Sequence, residues 1–288
     1  MFTGSIVALV TPMRDGKVDP ERLVELVDYH IAAGTNGIVP CGTTGESATL
    51  SHDEHDLVIS TVVERAKGKL PVIAGTGSNN TAEAIRMTRF AQEIGADASL
   101  LISPYYNKPT QRGLVAHFET IAKETEIPLV LYNVPSRTSS NMLPQTVIEC
   151  ASLPNVVAIK EASGSIDQTV EILRGSDLVV LSGDDSLTLP LVSVGAKGVI
   201  SVAANVAPKL VAEMTSLALG GDFEAARQLH FRLYPLFDAL FIETNPIPVK
   251  AAMAFAGRIS AEIRLPMIPL SEKSAEHLKK VLAEVAPE

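Results

Sequence analysis

Short runs of β-branched and aliphatic residues alternate with longer stretches in which apolar side chains recur every three or four positions. The short runs predict strands at 5–10, 37–40, 71–75, 98–102, 128–132, 156–160, 178–182 and 198–202. Between them the helical period predicts helices at 20–33, 52–66, 81–94, 111–126, 144–151, 165–174, 186–194 and 208–219. Several helices end on stop signals: Ala33-Gly34, Ile94-Gly95, Leu153-Pro154 and Val194-Gly195. Eight strands, each followed by a helix, is the count that closes a (β/α)8 TIM barrel. The expected fold is therefore α/β, with the barrel over residues 1–221.

Beyond about Gly221 the rhythm becomes helical only. Helices are expected at 222–240, with Asp222 as N-cap, at 246–256 and at 272–285. Residues 222–288 thus read as a C-terminal helical appendage. No Gly-x-Gly-x-x-Gly follows the first strand, where Val10-Thr11-Pro12-Met13 stands, which argues against a dinucleotide site.

Charge narrows the partners. Lys+Arg number 24 and Asp+Glu 33, a formal charge of −9, which disfavours nucleic acid and anionic membrane. The start Met1-Phe2-Thr3-Gly4-Ser5 lacks the basic region of a signal peptide, and the apolar runs are strand-sized. Two cysteines, Cys41 and Cys150, build no disulfide framework. A cytoplasmic protein is expected.

In a barrel, chemistry sits where strands end at the C-terminal face. The sixth strand ends Val156-Val157-Ala158-Ile159-Lys160-Glu161, and alternation puts Val156, Ala158 and Lys160 on one face. If that face lines the lumen, the amine sits among apolar neighbours, which disfavour its charged form and leave a nucleophile for a keto carbon. The bland alternative is a strand-end lysine snorkelling to solvent or paired with a carboxylate. On the neighbouring strand Tyr132 shares a face with Val130, either to relay protons or as an aromatic core residue. The loop Cys41-Gly42-Thr43-Thr44-Gly45-Glu46-Ser47 makes a tight turn whose amides suit a carboxylate or a small phosphate. Arg137 offers a bidentate fork for a second carboxylate. His52 and His55 share one helical face, but no further ligand completes a metal set. Cys41 reads as a small buried packing residue. A phosphate-binding barrel would want a glycine-rich loop after strands seven and eight, where Ser182-Gly183-Asp184-Asp185 instead supplies two acids.

The joint order of Gly42-Thr43-Thr44-Gly45-Glu46, Tyr132-Asn133-Val134-Pro135 with Arg137, and Lys160-Glu161 resembles the dihydrodipicolinate synthase / N-acetylneuraminate lyase family. The match runs from Gly4-Ser5-Ile6-Val7 to Asn245-Pro246-Ile247-Pro248-Val249-Lys250. The resemblance implies that Lys160 forms an imine with pyruvate, whose carboxylate rests on the amides of Thr43 and Thr44. The derived enamine would attack L-aspartate 4-semialdehyde, held by Arg137. Protons would pass through Thr43, Tyr132 and Tyr106, the last supplied by a neighbouring subunit of a homotetramer built from two dimers. Gly183 and Ile200 match pocket-lining positions. Ser47, Ala48, His52, His55, Asn79, Glu83 and Tyr105 match a dimer-interface site for inhibitory L-lysine. The imine itself acidifies the methyl group, so neither metal nor organic cofactor is expected.

One departure stands out: Ser139 occupies a position where the family often has glycine, so the loop carrying Arg137 is expected to differ in shape. The nearest rivals are other pyruvate aldolases of the family, acting on sugar aldehydes, and a non-catalytic barrel that binds a small acid. Arg137 favours a short anionic aldehyde over the former. Retention of Lys160, Tyr132, Tyr106 and both threonines argues against the latter.

Overall fold

A computed structural model of the chain describes residues 2–285. Among these residues eight parallel strands form one sheet: β1 (Gly4–Ala8), β2 (Gly37–Val39), β3 (Ile73–Gly75), β4 (Ala98–Ile102), β5 (Leu129–Asn133), β6 (Val156–Glu161), β7 (Val179–Ser182) and β8 (Gly198–Ser201). Neighbours run β2-β1-β8-β7-β6-β5-β4-β3, and a parallel bridge between Ile38 and Val72 joins the ends. The sheet closes into the expected barrel.

The helices form where the period and the caps agree. Pro20–Ala33 starts on Asp19, whose carboxylate accepts from Arg22 N at 3.1 Å, and stops at Gly34 in the left-handed region. His52–Ala66 opens with a reciprocal capping box between Ser51 and Glu54. Short irregular pieces escaped the periodic reading. They include an antiparallel ribbon of Met13–Arg14 with Lys17–Val18, the 3-10 turns Thr43–Gly45 and Ser47–Thr49, and the single-turn helix Pro135–Thr138.

Two apolar layers enclose the strands. Ile6, Ala8, Val39, Leu100, Val130, Tyr132, Ala158, Leu181 and Ile200 fill the lumen. Val7, Leu101, Leu131, Ile159 and Val180 face outward onto the helices. On β6 the expected alternation holds for Ala158 and Lys160 but not for Val156, which packs in the outer layer. The cause is a register slip: Leu129 pairs with Val156, but Val130 pairs with Ala158.

Three C-terminal helices, Phe223–Ala239, Ile247–Phe255 and Glu272–Val285, share the outer core through Leu233, Phe237, Val249, Met253 and Leu278. Asp222 caps the first, accepting from Ala225 N at 3.1 Å. The segment between the first two reaches the C-terminal mouth of the barrel. Among the described residues no helix is long and apolar enough to cross a membrane.

Candidate active site

The β6 register delivers Lys160 to the lumen edge, where it is buried with its Nζ 4.2 Å from the centroid of the Tyr132 ring on β5. Tyr132 and Lys160 are direct cross-strand partners. The next residue, Glu161, turns to the opposite face. There it accepts hydrogen bonds from Ser163 N at 2.7 Å, Asn133 Nδ2 at 3.2 Å and Gln168 Nε2 at 3.2 Å. Burial raises the Glu161 carboxyl above the usual carboxylate range, against the pull of those donors. The two charges adjacent in sequence therefore do not pair. Gly183 makes room for the amine: a Cβ there would stand 3.1 Å from Lys160 Cε and 2.6 Å from Ala162 Cβ.

Across the lumen, the Thr43–Gly45 turn follows β2. Gly45 N and Ser47 N bond to Gly42 O at 3.0 and 3.3 Å, and Glu46 N bonds to Thr43 O at 3.1 Å. The amides of Thr43 and Thr44 open the turn and have no intramolecular acceptor among the described residues, as at any helix start. Two free N–H groups side by side are a carboxylate cradle. The turn is held from three directions. Thr11 Oγ1 donates to Gly45 O at 2.7 Å, and Asn245 Nδ2 donates to Thr44 Oγ1 at 3.1 Å. Glu46, itself in the left-handed region, forms a fully buried ion pair with Lys250.

These groups converge on one cavity of about 530 Å³, lined by Thr43, Thr44, Tyr132, Arg137, Lys160, Gly183, Asp184 and the segment from Phe241 to Asn245. Arg137 rides on the Pro135–Thr138 turn and donates from Nη2 to Asn245 O at 3.1 Å. Ser139 ends that turn at φ 54°, taking for itself the left-handed conformation that a glycine would supply. The turn thus closes as it would on a glycine, through a serine in a conformation most side chains avoid, which does not by itself call for the different loop shape expected from the sequence.

Two residues matched to the pocket lie elsewhere. Ile200 is fully buried in the lumen packing and does not line the cavity. Tyr106 is 89% exposed at φ 71°, outside the chain's own cavity. Behind Thr43, a second cavity of about 660 Å³ is lined by Ser47, Ala48, His52, His55, Glu83 and Tyr105, and shares Gly42, Thr43, Tyr132, Arg137 and Asn245 with the first. Asn79 stands just behind its wall, donating to Tyr105 O at 3.2 Å. The two histidines diverge: His55 is buried with Nε2 2.8 Å from Gly75 O, while His52 is exposed with Nε2 3.3 Å from Glu83. Burial lowers the His55 pKa.

Cys41 packs in the core, and burial pushes its thiol well above the usual range, which fits a packing role. The phosphate alternative meets a structural obstacle. Asp185 already occupies the amides of Val202 and Ala203 after β8, at 3.0 Å each, where a phosphate would sit.

The dihydrodipicolinate synthetase family pattern matches residues 1–285. The chain belongs to this family. A 4-hydroxy-tetrahydrodipicolinate synthase from Syntrophobacter fumaroxidans is 57% identical over 285 residues, covering 98% of each chain. A chloride-inhibited dihydrodipicolinate synthase from Acinetobacter baumannii, solved with pyruvate, is 45% identical with a TM-score of 0.98 over 100% of both chains. A family enzyme from Cyanidioschyzon merolae, solved with lysine bound, is 40% identical with a TM-score of 0.97 over 100% of this chain and 99% of the other.

Three site residues had no role in the motif reading: Glu46, Lys250 and Asn245. All three stand inside the strings that carried the family resemblance, but only the fold brings the C-terminal pair against the threonine turn.

Proposed function

We infer that this chain is a Schiff-base-forming lyase that condenses pyruvate with L-aspartate 4-semialdehyde, the 4-hydroxy-tetrahydrodipicolinate synthase reaction of the diaminopimelate route to L-lysine. The observation that carries this reading is the convergence of Lys160, Tyr132 and the free amides of Thr43 and Thr44 on one cavity.

The Lys160 amine adds to the keto carbon of pyruvate, and loss of water from the carbinolamine leaves an imine. The pyruvate carboxylate lies on the Thr43 and Thr44 amides, which fixes the keto carbon toward β6. Loss of a methyl proton turns the protonated imine into an enamine, whose carbon attacks the aldehyde carbon to form the new C–C bond. The product's amino group then attacks the imine carbon, closes the ring and releases Lys160. Tyr132 and Thr43 carry protons between these steps. Tyr106 completes the relay from a neighbouring subunit, in a homotetramer of paired dimers. Its exposure supports a role outside its own chain. Arg137 takes the carboxylate of the aldehyde, its fork already oriented by Asn245 O.

L-Lysine inhibits from the second cavity. Glu83 there meets an ammonium group, with Ser47, Ala48, His52, His55, Asn79 and Tyr105 around it. The wall common to the two cavities, made by Gly42, Thr43, Leu100, Tyr132, Arg137 and Asn245, supports coupling between them.

Initial rates with pyruvate and each of several aldehydes test the reaction. L-Aspartate 4-semialdehyde is expected to turn over fastest; a sugar aldehyde turning over faster would overturn the assignment. Saturating lysine is expected to lower turnover and raise Tm, and a null effect on both would remove the regulatory role.

A further inference from the structure

Two tyrosines stand side by side in the loop after β4 and part company. Tyr105 lines the second cavity of its own chain, whereas Tyr106 is exposed and lines neither cavity. The backbone at Tyr106 separates them. Its φ is 71°, and Asn107 N donates to Tyr105 O at 2.9 Å, which makes Tyr106 the centre of a γ-turn. With positive φ a γ-turn has its rare, strained hand. No glycine eases it, and Lys108 is also left-handed at φ 46°. Strain of this kind persists only where surrounding contacts over-determine it.

At the tip those contacts come from a single neighbour. Asn107 Nδ2 donates to Asn79 O at 2.8 Å, and Asn79 Nδ2 donates to Tyr105 O at 3.2 Å. The residues just before and just after Tyr106 are thereby clasped to the same asparagine. Both ends of the loop are fixed as well. Ser103 N donates to Tyr132 O at 2.9 Å, and Thr110 caps the Gln111–Glu124 helix, accepting from Gly113 N at 3.3 Å. Between those ends the clasp decides where the Tyr106 ring goes.

Given a proton relay through Tyr106, on which the assignment rests, we propose that Asn107 is a positioning residue of the reaction. Its side-chain amide holds Tyr106 in the strained turn that aims the phenol out of its own chain and into the neighbouring subunit's active site. The chemistry asks for a donor: aspartate has the same shape but, when ionised, only accepts, and it would meet the Asn79 carbonyl with no proton to share. Without that donor the turn relaxes toward ordinary backbone and the phenol loses its aim. A relay group misplaced by about 1 Å costs on the order of 10²-fold in rate.

Asn107→Ala and Asn107→Asp in the full-length assembly test this, with pyruvate and L-aspartate 4-semialdehyde as substrates. Each is expected to lower kcat roughly 10- to 100-fold, with KM for either substrate changed less than about two-fold and the sedimentation coefficient unchanged. In a Tyr106→Phe background, which has no phenol proton to place, Asn107→Ala should cost less than about two-fold more. An equal fall in both backgrounds, or no fall in the parent, overturns the proposal. So does an Asn107→Asp variant as fast as the parent. A fall that is recovered at higher protein concentration also overturns it, making Asn107 an assembly residue. A Tyr106→Phe chain as fast as the parent removes the relay and this proposal with it. A parent that traps pyruvate under borohydride but never turns over the semialdehyde would sink the reaction assignment itself, a separately visible result.

Discussion

Two lysines are buried among the described residues, and they occupy opposite kinds of site. Lys250 is sealed in the C-terminal helices with its side chain 2% exposed, paired to Glu46, and burial lowers its pKa in spite of that partner. Lys160 sits at the lumen edge over the Tyr132 ring, opening onto a cavity, with Glu161 turned to the far face of its strand. Burial is common to both. What separates the structural amine from the one proposed to react is the absence of a committed carboxylate and the presence of room for a substrate. On the proposed function the structural amine also serves the reactive one, because its Glu46 partner ends the turn proposed to cradle the keto acid.

The two amines part most visibly when each is removed. Lys160→Ala is expected to lower turnover on the order of 10⁴-fold or more, as removal of a nucleophile does. It should leave Tm within a few degrees, since it deletes no large apolar group. Lys250→Met should do the reverse, stranding a buried carboxylate at a cost of about 3–5 kcal/mol. Thermal unfolding would show a fall of roughly 10 °C. Adding Glu46→Gln should recover much of that loss, and a double variant as unstable as the single one would refute the pairing argument.

Buried histidines extend the contrast, as bases kept neutral without any carboxylate. Burial pushes the His30 pKa down to about 3 and that of His117 down to about 4, each ring bonded to a threonine hydroxyl. Below the ordinary imidazole value of about 6.5 the unfolded chain takes up protons that the folded chain refuses. Their contribution is therefore intact above that pH and is lost as pH falls from there toward 3–4. Each histidine adds a slope of up to about 1.4 kcal/mol per pH unit. His30→Gln is expected to remove about one proton from the slope of unfolding free energy between pH 5 and 6; an unchanged slope contradicts it. The smallest effect belongs to Lys123, exposed and paired with Glu119 on one helix face. Lys123→Ala should leave Tm unchanged within error.

Much of this architecture was legible from pattern alone because each repeating unit combines a buried strand with a capped amphipathic helix. Pro20–Ala33 and His52–Ala66 have the expected bounds, since Asp19 and Ser51 start them and no competing tertiary demand moves them. The slip at Val156 was invisible, because an apolar residue on either face of a doubly covered strand reads the same. Lys160, Tyr132 and Thr43 could be picked out as residues, but their meeting in space depends on barrel closure. The ties from Asn245 and Lys250 to the threonine turn span more than 200 positions, beyond any local period.

The most direct test of the imine is borohydride reduction in the presence of pyruvate, followed by peptide mapping in the mass spectrometer. A single reduced pyruvate adduct on the peptide carrying Lys160, absent without pyruvate, is the predicted result. An unmodified chain, or an adduct carried by a different lysine, would contradict it.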